Sequence, residues 1–173
     1  MRARDALYAL TAEHTAAYFD LRRGALETDP LAFAIPVESD PGRSSGAVES
    51  ALAELPREAP PSILGAFAVS LVGVVGVLRE PEAHNRARIW GFYVTPEIRR
   101  RGIGQSLLSA AYDLARRVSG VDQLVARVPA TSAACIRLLE HFGFEGGAPD
   151  REGSDESSPQ WLSMTLNLPD EAA

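Results

Sequence analysis

The sequence predicts an α/β fold with a mixed, largely antiparallel sheet and helices on both faces, formed by residues 1–173 as one domain. The length of 173 residues and the hydrophobic content of 46% suit one ordinary domain with a substantial core. Apolar, β-branched segments between residues 62 and 94 are joined by short connections, which favours antiparallel pairing. A strand, helix, strand succession over residues 88–128 then requires a parallel, right-handed crossover.

The first half of the chain predicts a strand, two helices and a hairpin. Thr11 is a helix-start residue, and Asp29-Pro30 ends the helix because the position before a proline disfavours helical backbone. Glycines interrupt the long apolar run that follows, so we expect two strands there rather than one helix. The predicted bounds are a strand at 5–10, helices at 11–28 and 47–55, and a hairpin at 62–78 that turns near 69–71.

The second half predicts four strands and two helices. Apolar residues recur at helical spacing from Ile103 to Val118, where Ser119-Gly120 supplies a stop. Gly91 lies inside the preceding strand, where glycine marks either a bulge or a close packing contact. The predicted bounds are strands at 88–94, 123–128 and 161–168, helices at 103–118 and from 131 or 132 to 142, and a sixth strand after Gly143-Phe144.

The turn before the long helix predicts an anion-binding site. Gly102 and Gly104 stand at the helix start, and only glycine lets the backbone approach a phosphate with no Cβ in the way. The helix N-terminus carries partial positive charge, to which Arg99, Arg100 and Arg101 add full charges. A di- or triphosphate ligand, as in a nucleotide-like coenzyme, therefore fits this turn.

Other phosphate motifs fit less well. A Walker A loop requires a Gly-Lys-Ser/Thr ending, and a dinucleotide-binding loop requires a third glycine, and neither follows Gly104. A solvated run of arginines beside a chance glycine pair is the remaining alternative.

The segment Val94-x-Pro96-x-x-Arg99-x-x-Gly102-x-Gly104 resembles motif A of the GNAT acetyltransferase superfamily. The resemblance implies a GNAT-like sheet of six to seven strands with a splayed cleft between strands 4 and 5. It also implies that acetyl-CoA is the co-substrate, with its pantetheine arm on strand 4 and its pyrophosphate on the turn. By position, the resemblance assigns coenzyme binding to Phe92, Tyr93, Val94, Arg99, Arg100, Arg101, Gly102, Ile103, Gly104 and Gln105.

A second segment, the helix that ends at Gly143-Phe144, resembles motif B of the same family. Ser132 stands where the family usually has an asparagine that contacts the coenzyme, and we expect Ser132 to make that contact. Leu139 stands where a tyrosine often serves as general acid toward the departing thiol. Because leucine cannot donate a proton, that assignment does not carry over.

The catalytic base is assigned to Glu38. The Asp-Pro-x-Ala-Phe run at residues 29–33 resembles the acceptor-side segment between the first two helices of many GNAT enzymes, and Glu38 follows it. A primary amine with a pKa near about 10.4 is mostly protonated at neutral pH, so a base is required. A solvent-exposed acid is the alternative reading of Glu38, and an ordered water relayed by backbone carbonyls is the alternative base.

These observations predict an N-acetyltransferase that acts on a primary amine of a small molecule or protein by direct attack. The alternatives are an acyl-CoA sensor without turnover, made credible by Leu139, and an O-acyltransferase. A net charge of −6 argues against nucleic acid as a partner, and no apolar run is long enough to cross a membrane. The single Cys135 and the absence of a secretory segment favour the cytoplasm. No spaced ligand pattern predicts a metal, and the oligomeric state, including a homodimer, is left open.

Overall fold

Seven strands and four helices make up the fold in the computed structural model, which describes residues 6–33, 44–56, 59–151 and 159–169. The strands are β1 (Ala6–Ala9), β2 (Ser62–Phe67), β3 (Leu71–Arg79), β4 (Arg86–Val94), β5 (Gln123–Pro129), β6 (Glu145–Arg151) and β7 (Gln160–Asn167). The helices are α1 (Thr15–Thr28), α2 (Ser45–Glu54), α3 (Ile103–Arg116) and α4 (Ala133–His141). Short 3-10 turns precede α1 and α3, at Ala12–His14 and Pro96–Ile98.

The strands form one sheet in the order β1-β2-β3-β4-β5-β7-β6. Neighbouring strands are antiparallel except β4 and β5, which the crossover through α3 makes parallel. The predicted mixed, largely antiparallel sheet of six to seven strands is therefore confirmed, with seven strands. The predicted element bounds agree with the observed ones to within a few residues, which is the usual uncertainty at element ends.

Two hydrophobic cores lie on opposite faces of the sheet, which confirms helices on both faces. α1 and α2 cover one face, where Tyr18 and Leu52 are among the buried residues. α3 and α4 lie on the other face, where Leu107 and Leu108 of α3 are fully buried. The apolar stripe of α3 faces the sheet, as its 3.6-residue spacing predicts.

Parts of the sequence-based prediction fall outside the described residues. Glu38 and most of the turn-rich segment at 40–46 are among them, as is most of the loop between β6 and β7. Within the described ranges, no helix combines the length and the apolar character needed to cross a bilayer.

Candidate active site

The cleft begins where β4 and β5 part. The two strands pair over four residues each, from Arg86 opposite Gln123 to Ile89 opposite Ala126. β4 then continues to Val94 and β5 to Pro129 without further pairing between them. The predicted cleft between strands 4 and 5 is therefore present, and it opens toward the starts of α3 and α4.

Two adjoining cavities lie in this cleft. The larger has a volume of about 1050 Å³ and extends from β4 to the turn before α3 and the first turn of α4. The smaller has a volume of about 340 Å³ and lies deeper, where the two strands begin to separate. Four residues line both cavities and so mark the junction between them, namely Asp29, Phe92, Ser132 and Cys135.

A β-bulge on β4 lies at this junction. Gly76 pairs with Trp90 while Val74 pairs with Tyr93, so the single residue between them on β3 faces two residues on β4. Gly91, one of those two, has a φ of 57°, in the left-handed region that favours glycine. A Cβ at Gly91 would lie 2.9 Å from Cδ1 of the buried Phe33. The bulge expected at Gly91 is confirmed, and the packing contact is present as well.

The turn before α3 has an anion-binding shape. Arg100 (φ 65°) and Gly102 (φ 87°) both adopt left-handed backbone, and such residues direct successive N–H groups into one concavity. Gly102 is the N-cap of α3 and has no side chain to cap the helix. The first N–H groups of α3 therefore lack the side-chain acceptor that caps the start of many helices. A Cβ at Gly102 would meet nothing within 4 Å, so the space beside it is open.

The three arginines of this turn take different positions. Arg99 donates from Nε to the carbonyl oxygen of Val94 at 2.8 Å, and its guanidinium lies 5.5 Å from the ring centroid of Tyr93. Arg99 thus joins the turn to the end of β4 while still lining the larger cavity. Arg100 also lines that cavity, whereas Arg101 is exposed and is not part of its wall.

Gly104 lies at a closely packed position. A Cβ at Gly104 would lie 3.2 Å from Cδ2 of Leu138 and 3.5 Å from Cζ of Phe92. Residue 104 therefore sits where the starts of α3 and α4 and strand β4 approach one another. The sequence suggested that Gly104 leaves room for a phosphate; the structure adds that it leaves room for Leu138.

Ser132 stands at the start of α4. It is the N-cap of that helix, yet its hydroxyl makes no capping hydrogen bond. Its backbone N–H donates to the carbonyl oxygen of Pro129 at 2.9 Å, which joins α4 to the end of β5. The half-buried Ser132 thus presents a hydroxyl to both cavities.

The smaller cavity has a largely apolar wall. Leu139 is 1% exposed and lines it together with Phe33, which is also 1% exposed. Cys135 is half-buried and lines both cavities. Burial, and to a lesser extent the negative charge of Asp29, raise the pKa of Cys135 to about 11. Cys135 is therefore a neutral thiol at neutral pH, which does not suit a nucleophile.

Asp29 brings a carboxylate to the cleft. It follows the last residue of α1, Thr28, whose Oγ1 lies 3.1 Å from the hydroxyl of Tyr93 on β4. The backbone N–H of Asp29 donates to Ala25 O at 2.7 Å, and the carbonyl oxygen of Asp29 accepts from the N–H of Ala32 at 2.9 Å. The end of α1 is thus fixed against β4, with Asp29 at the junction of the two cavities.

The structure brings most of the predicted site residues together. Arg101 lies apart from the cavity wall, and Glu38 lies outside the described residues. Asp29 is not among the site residues predicted from the sequence, because its place in the cleft depends on the contact between Thr28 and Tyr93. The predicted residues that line the larger cavity are Phe92, Tyr93, Val94, Arg99, Arg100, Gly102, Ile103, Gly104, Gln105 and Ser132.

In the ranges that the structure describes, no three His, Cys, Asp or Glu side chains are grouped so that they could hold a metal ion.

The sheet split between β4 and β5, with an uncapped helix start beside the split, is the arrangement that the resemblance in the sequence implies. The chain belongs to the acetyltransferase (GNAT) family, because the model of that family matches residues 27–144. The resemblance seen in the sequence is thereby confirmed. A comparison with curated protein sequences finds no match.

Solved structures of acetyltransferases share the fold at low sequence identity. The putative acetyltransferase yncA from Salmonella typhimurium, solved with its cofactor acetyl-CoA, is 20% identical with a TM-score of 0.77, over 99% of this chain and 98% of that one. A GNAT-family acetyltransferase from Streptococcus pneumoniae is 18% identical with a TM-score of 0.77, over 95% and 99%. The ribosomal-protein-S18-alanine N-acetyltransferase from Escherichia coli is 20% identical with a TM-score of 0.66, over 98% of both chains.

Proposed function

We propose that the protein transfers an acetyl group from acetyl-CoA to a primary amine. The observation that carries this proposal is that the two cavities adjoin: the larger reaches the uncapped turn before α3, and the smaller meets it beside the bulge at Gly91. Family membership supports an acyltransferase activity. The acetyl-CoA bound to the Salmonella typhimurium protein supports the choice of co-substrate.

The residues of the turn fit the phosphates of a coenzyme. The open space beside Gly102 is space that any side chain would fill, and the uncapped start of α3 supplies N–H donors. Arg99 and Arg100 add positive charge at the cavity wall. Ser132 would donate one hydrogen bond from the opposite wall. Acetyl-CoA, when bound, supplies the acetyl group as a thioester. Contact between Arg101 and the coenzyme remains a prediction.

The residues of β4 would orient the acyl group. Beyond Ile89, the edge of β4 that faces β5 has no strand partner, so the N–H groups around Phe92 to Val94 are suited to a carbonyl oxygen. The acceptor must arrive as, or become, a free amine before it can attack. We propose Glu38 as the base that the sequence suggests, with a water held by backbone carbonyls as its rival.

The Glu38 assignment has a direct test. A pH profile of turnover is measured for Glu38→Gln and for the parent on the same acceptor. If Glu38 is the base, the variant loses rate and its acid-limb apparent pKa changes. A parental rate with a parental acid limb would remove Glu38 from this role.

The proposed activity is tested by product detection. The protein is incubated with acetyl-CoA and a panel of amines and alcohols, and acetylated products are identified by mass spectrometry. We expect acetylated amines. Stoichiometric binding of coenzyme A with no acetylated product would favour the sensor, for which Leu139 in the usual acid position is the supporting observation. Acetylated alcohols alone would favour an O-acyltransferase.

The proposed acceptors include amines of both small molecules and proteins. The Escherichia coli neighbour is named for an alanine of a ribosomal protein, so protein amines belong in the panel beside small ones. A cytoplasmic location remains our expectation from the sequence, which leaves the oligomeric state, including a homodimer, open.

A further inference from the structure

The smaller cavity and Asp29 together point to a particular kind of acceptor, and this inference rests on the proposed function. Among the described residues that line the two cavities, Asp29 is the one carboxylate, and it stands at their junction. If the coenzyme arm occupies the larger cavity, the smaller one is where an acceptor meets the acyl group. An amine there would have the Asp29 carboxylate beside it.

The position of Asp29 is fixed by contacts that do not use its carboxylate. Its backbone N–H and C=O make the hydrogen bonds that end α1, to Ala25 and from Ala32. The preceding Thr28 shares a hydrogen bond of 3.1 Å with the hydroxyl of the buried Tyr93. The carboxylate is thus held at the cleft by the fold and is available to bind a ligand.

The rest of the smaller cavity selects for an apolar group. Its wall includes the buried Phe33, Ile89 and Leu139 and the half-buried Trp90. Its volume of about 340 Å³ is near the lower end of the range for ligand pockets, about 300–1,000 Å³. A compact apolar substituent, such as a benzyl group, fits a wall of this kind and a volume of this size.

One carboxylate at the cavity matches one ammonium on the acceptor. Arg88 lines the cavity and donates from Nε to Oε1 of Glu80 at 2.6 Å, so its charge is already paired. Arg127 also lines it, with its guanidinium 5.0 Å from the ring centroid of Trp161. Cys135, on α4, is a neutral thiol. Among the described lining residues, no second carboxylate is present to bind a second ammonium.

We propose that the smaller cavity is the acceptor subsite for a primary monoamine on a compact apolar group, and that Asp29, in place of the Glu38 that the sequence suggests, binds its ammonium and accepts its proton. The freed nitrogen lone pair forms the new C–N bond to the acetyl carbon. The C–S bond of the thioester breaks, and its electron pair leaves on sulfur. The nitrogen loses a second proton to solvent, the departing thiolate takes one from solvent, and Asp29 returns its proton to solvent.

Binding is the first test, because it does not depend on turnover. Benzylamine, a cation at neutral pH, and benzyl alcohol, its uncharged analogue, are titrated by calorimetry into the protein saturated with coenzyme A. We expect Asp29→Asn to weaken benzylamine binding at least about tenfold and to leave benzyl alcohol within about twofold. Glu27→Gln, which removes an exposed carboxylate two residues away on α1, should match the parent for both. Equal benzylamine affinity in Asp29→Asn and the parent, or no benzylamine binding by the parent, overturns the proposal.

Turnover is the second test, with two acceptors of similar size. Benzylamine must lose a proton before it attacks, whereas aniline is already uncharged at neutral pH. We expect Asp29→Asn to lower kcat/KM for benzylamine by about 10² to 10⁴ and for aniline by less than about threefold. Asp29→Glu, which retains a carboxylate, should recover part of the benzylamine rate. Thermal melts of both variants should stay near the parent, since the backbone of Asp29 ends the helix.

The remaining outcomes separate this inference from the function on which it rests. Equal losses for benzylamine and aniline would mean a structural role and would overturn the inference alone. So would a parental rate in Asp29→Asn accompanied by a loss in Glu38→Gln, which would make Glu38 the base. No acetylated amine from the parent, with benzylamine or with the wider panel, would overturn both the inference and the proposed function.

Discussion

Replacing Gly91 by alanine is the substitution whose cost can be worked out most directly from the structure. Gly91 has a φ of 57°, and a Cβ there would lie 2.9 Å from Cδ1 and 3.1 Å from Cε1 of Phe33. The Phe33 ring is 1% exposed, and the guanidinium of Arg22 lies 4.5 Å from its centroid. The ring is therefore buried and packed against a further neighbour, which limits its freedom to make room.

Two effects add in this substitution. A left-handed backbone at a residue with a Cβ costs about 1–2 kcal/mol. Forcing an extra methyl group into a packed core costs about 1–3 kcal/mol. We therefore expect Gly91→Ala to lower the free energy of unfolding by about 2–5 kcal/mol, which corresponds to a decrease in Tm of about 4–20 °C for a chain of this size.

Urea denaturation and calorimetry measure this loss, and Gly24→Ala is the matched control. Gly24 lies within α1, and a Cβ there would meet nothing within 4 Å. Because alanine favours the helix over glycine, Gly24→Ala should stabilise the protein by about 0.5–1 kcal/mol. Opposite signs for the same chemical change would support the argument. A Gly91→Ala protein as stable as the parent would show that the bulge does not require glycine.

Three further predictions concern the cleft. Gly102→Val should abolish coenzyme A binding in a folded protein, because its branched side chain fills the open space beside the turn; near-parental affinity by calorimetric titration would mean that the phosphate site lies elsewhere. We expect Leu139→Tyr to raise steady-state turnover by less than about 10², provided that the variant folds and keeps its coenzyme affinity. The reason is that a thiol of pKa near about 8.5 leaves readily as the thiolate. A larger gain would indicate a chain that has lost its general acid. Cys135, with its pKa raised to about 11, should react with iodoacetamide at pH 8 about 10²-fold more slowly than free cysteine. Asp29→Asn should speed that reaction by lowering the pKa, and an unchanged rate would contradict the charge effect.

Local patterns were sufficient to predict the central part of the fold. The strand, turn and helix around Gly102 were predicted because proline, glycine and a 3.6-residue apolar repeat act over neighbouring residues. The bulge at Gly91 was predictable for the same reason, since few other roles suit a glycine inside a strand. The antiparallel pairing of β2, β3 and β4 followed from their short connections. The split between β4 and β5, in contrast, came from the family resemblance, because hydropathy does not indicate where two strands part.

The details of the site depend on tertiary contacts that sequence patterns do not report. The sequence indicates Asp29 only as the residue at which a helix ends. The hydrogen bond between Thr28 and Tyr93, 65 positions apart, shows why Asp29 reaches the cleft. The sequence indicates Arg99 as a positive charge at the turn, but it does not indicate that Nε of Arg99 donates to the carbonyl oxygen of Val94. Cys135 appears in the sequence only as a single cysteine, and the structure places it in the wall of both cavities. The positions of Asp29 and Cys135 are set by where α1 and α4 pack.

The separation of β4 from β5 has a consequence for what this protein can recognise. A sheet normally exposes unpaired backbone groups at its rim, where another chain can add to it. Here β4 beyond Ile89 and β5 beyond Ala126 form two facing edges inside the domain instead. Under the proposed function, a slender amide-containing chain such as a pantetheine arm would exchange hydrogen bonds with such an edge as a neighbouring strand does. Recognition by backbone pairing would then depend little on the side chains of the strand.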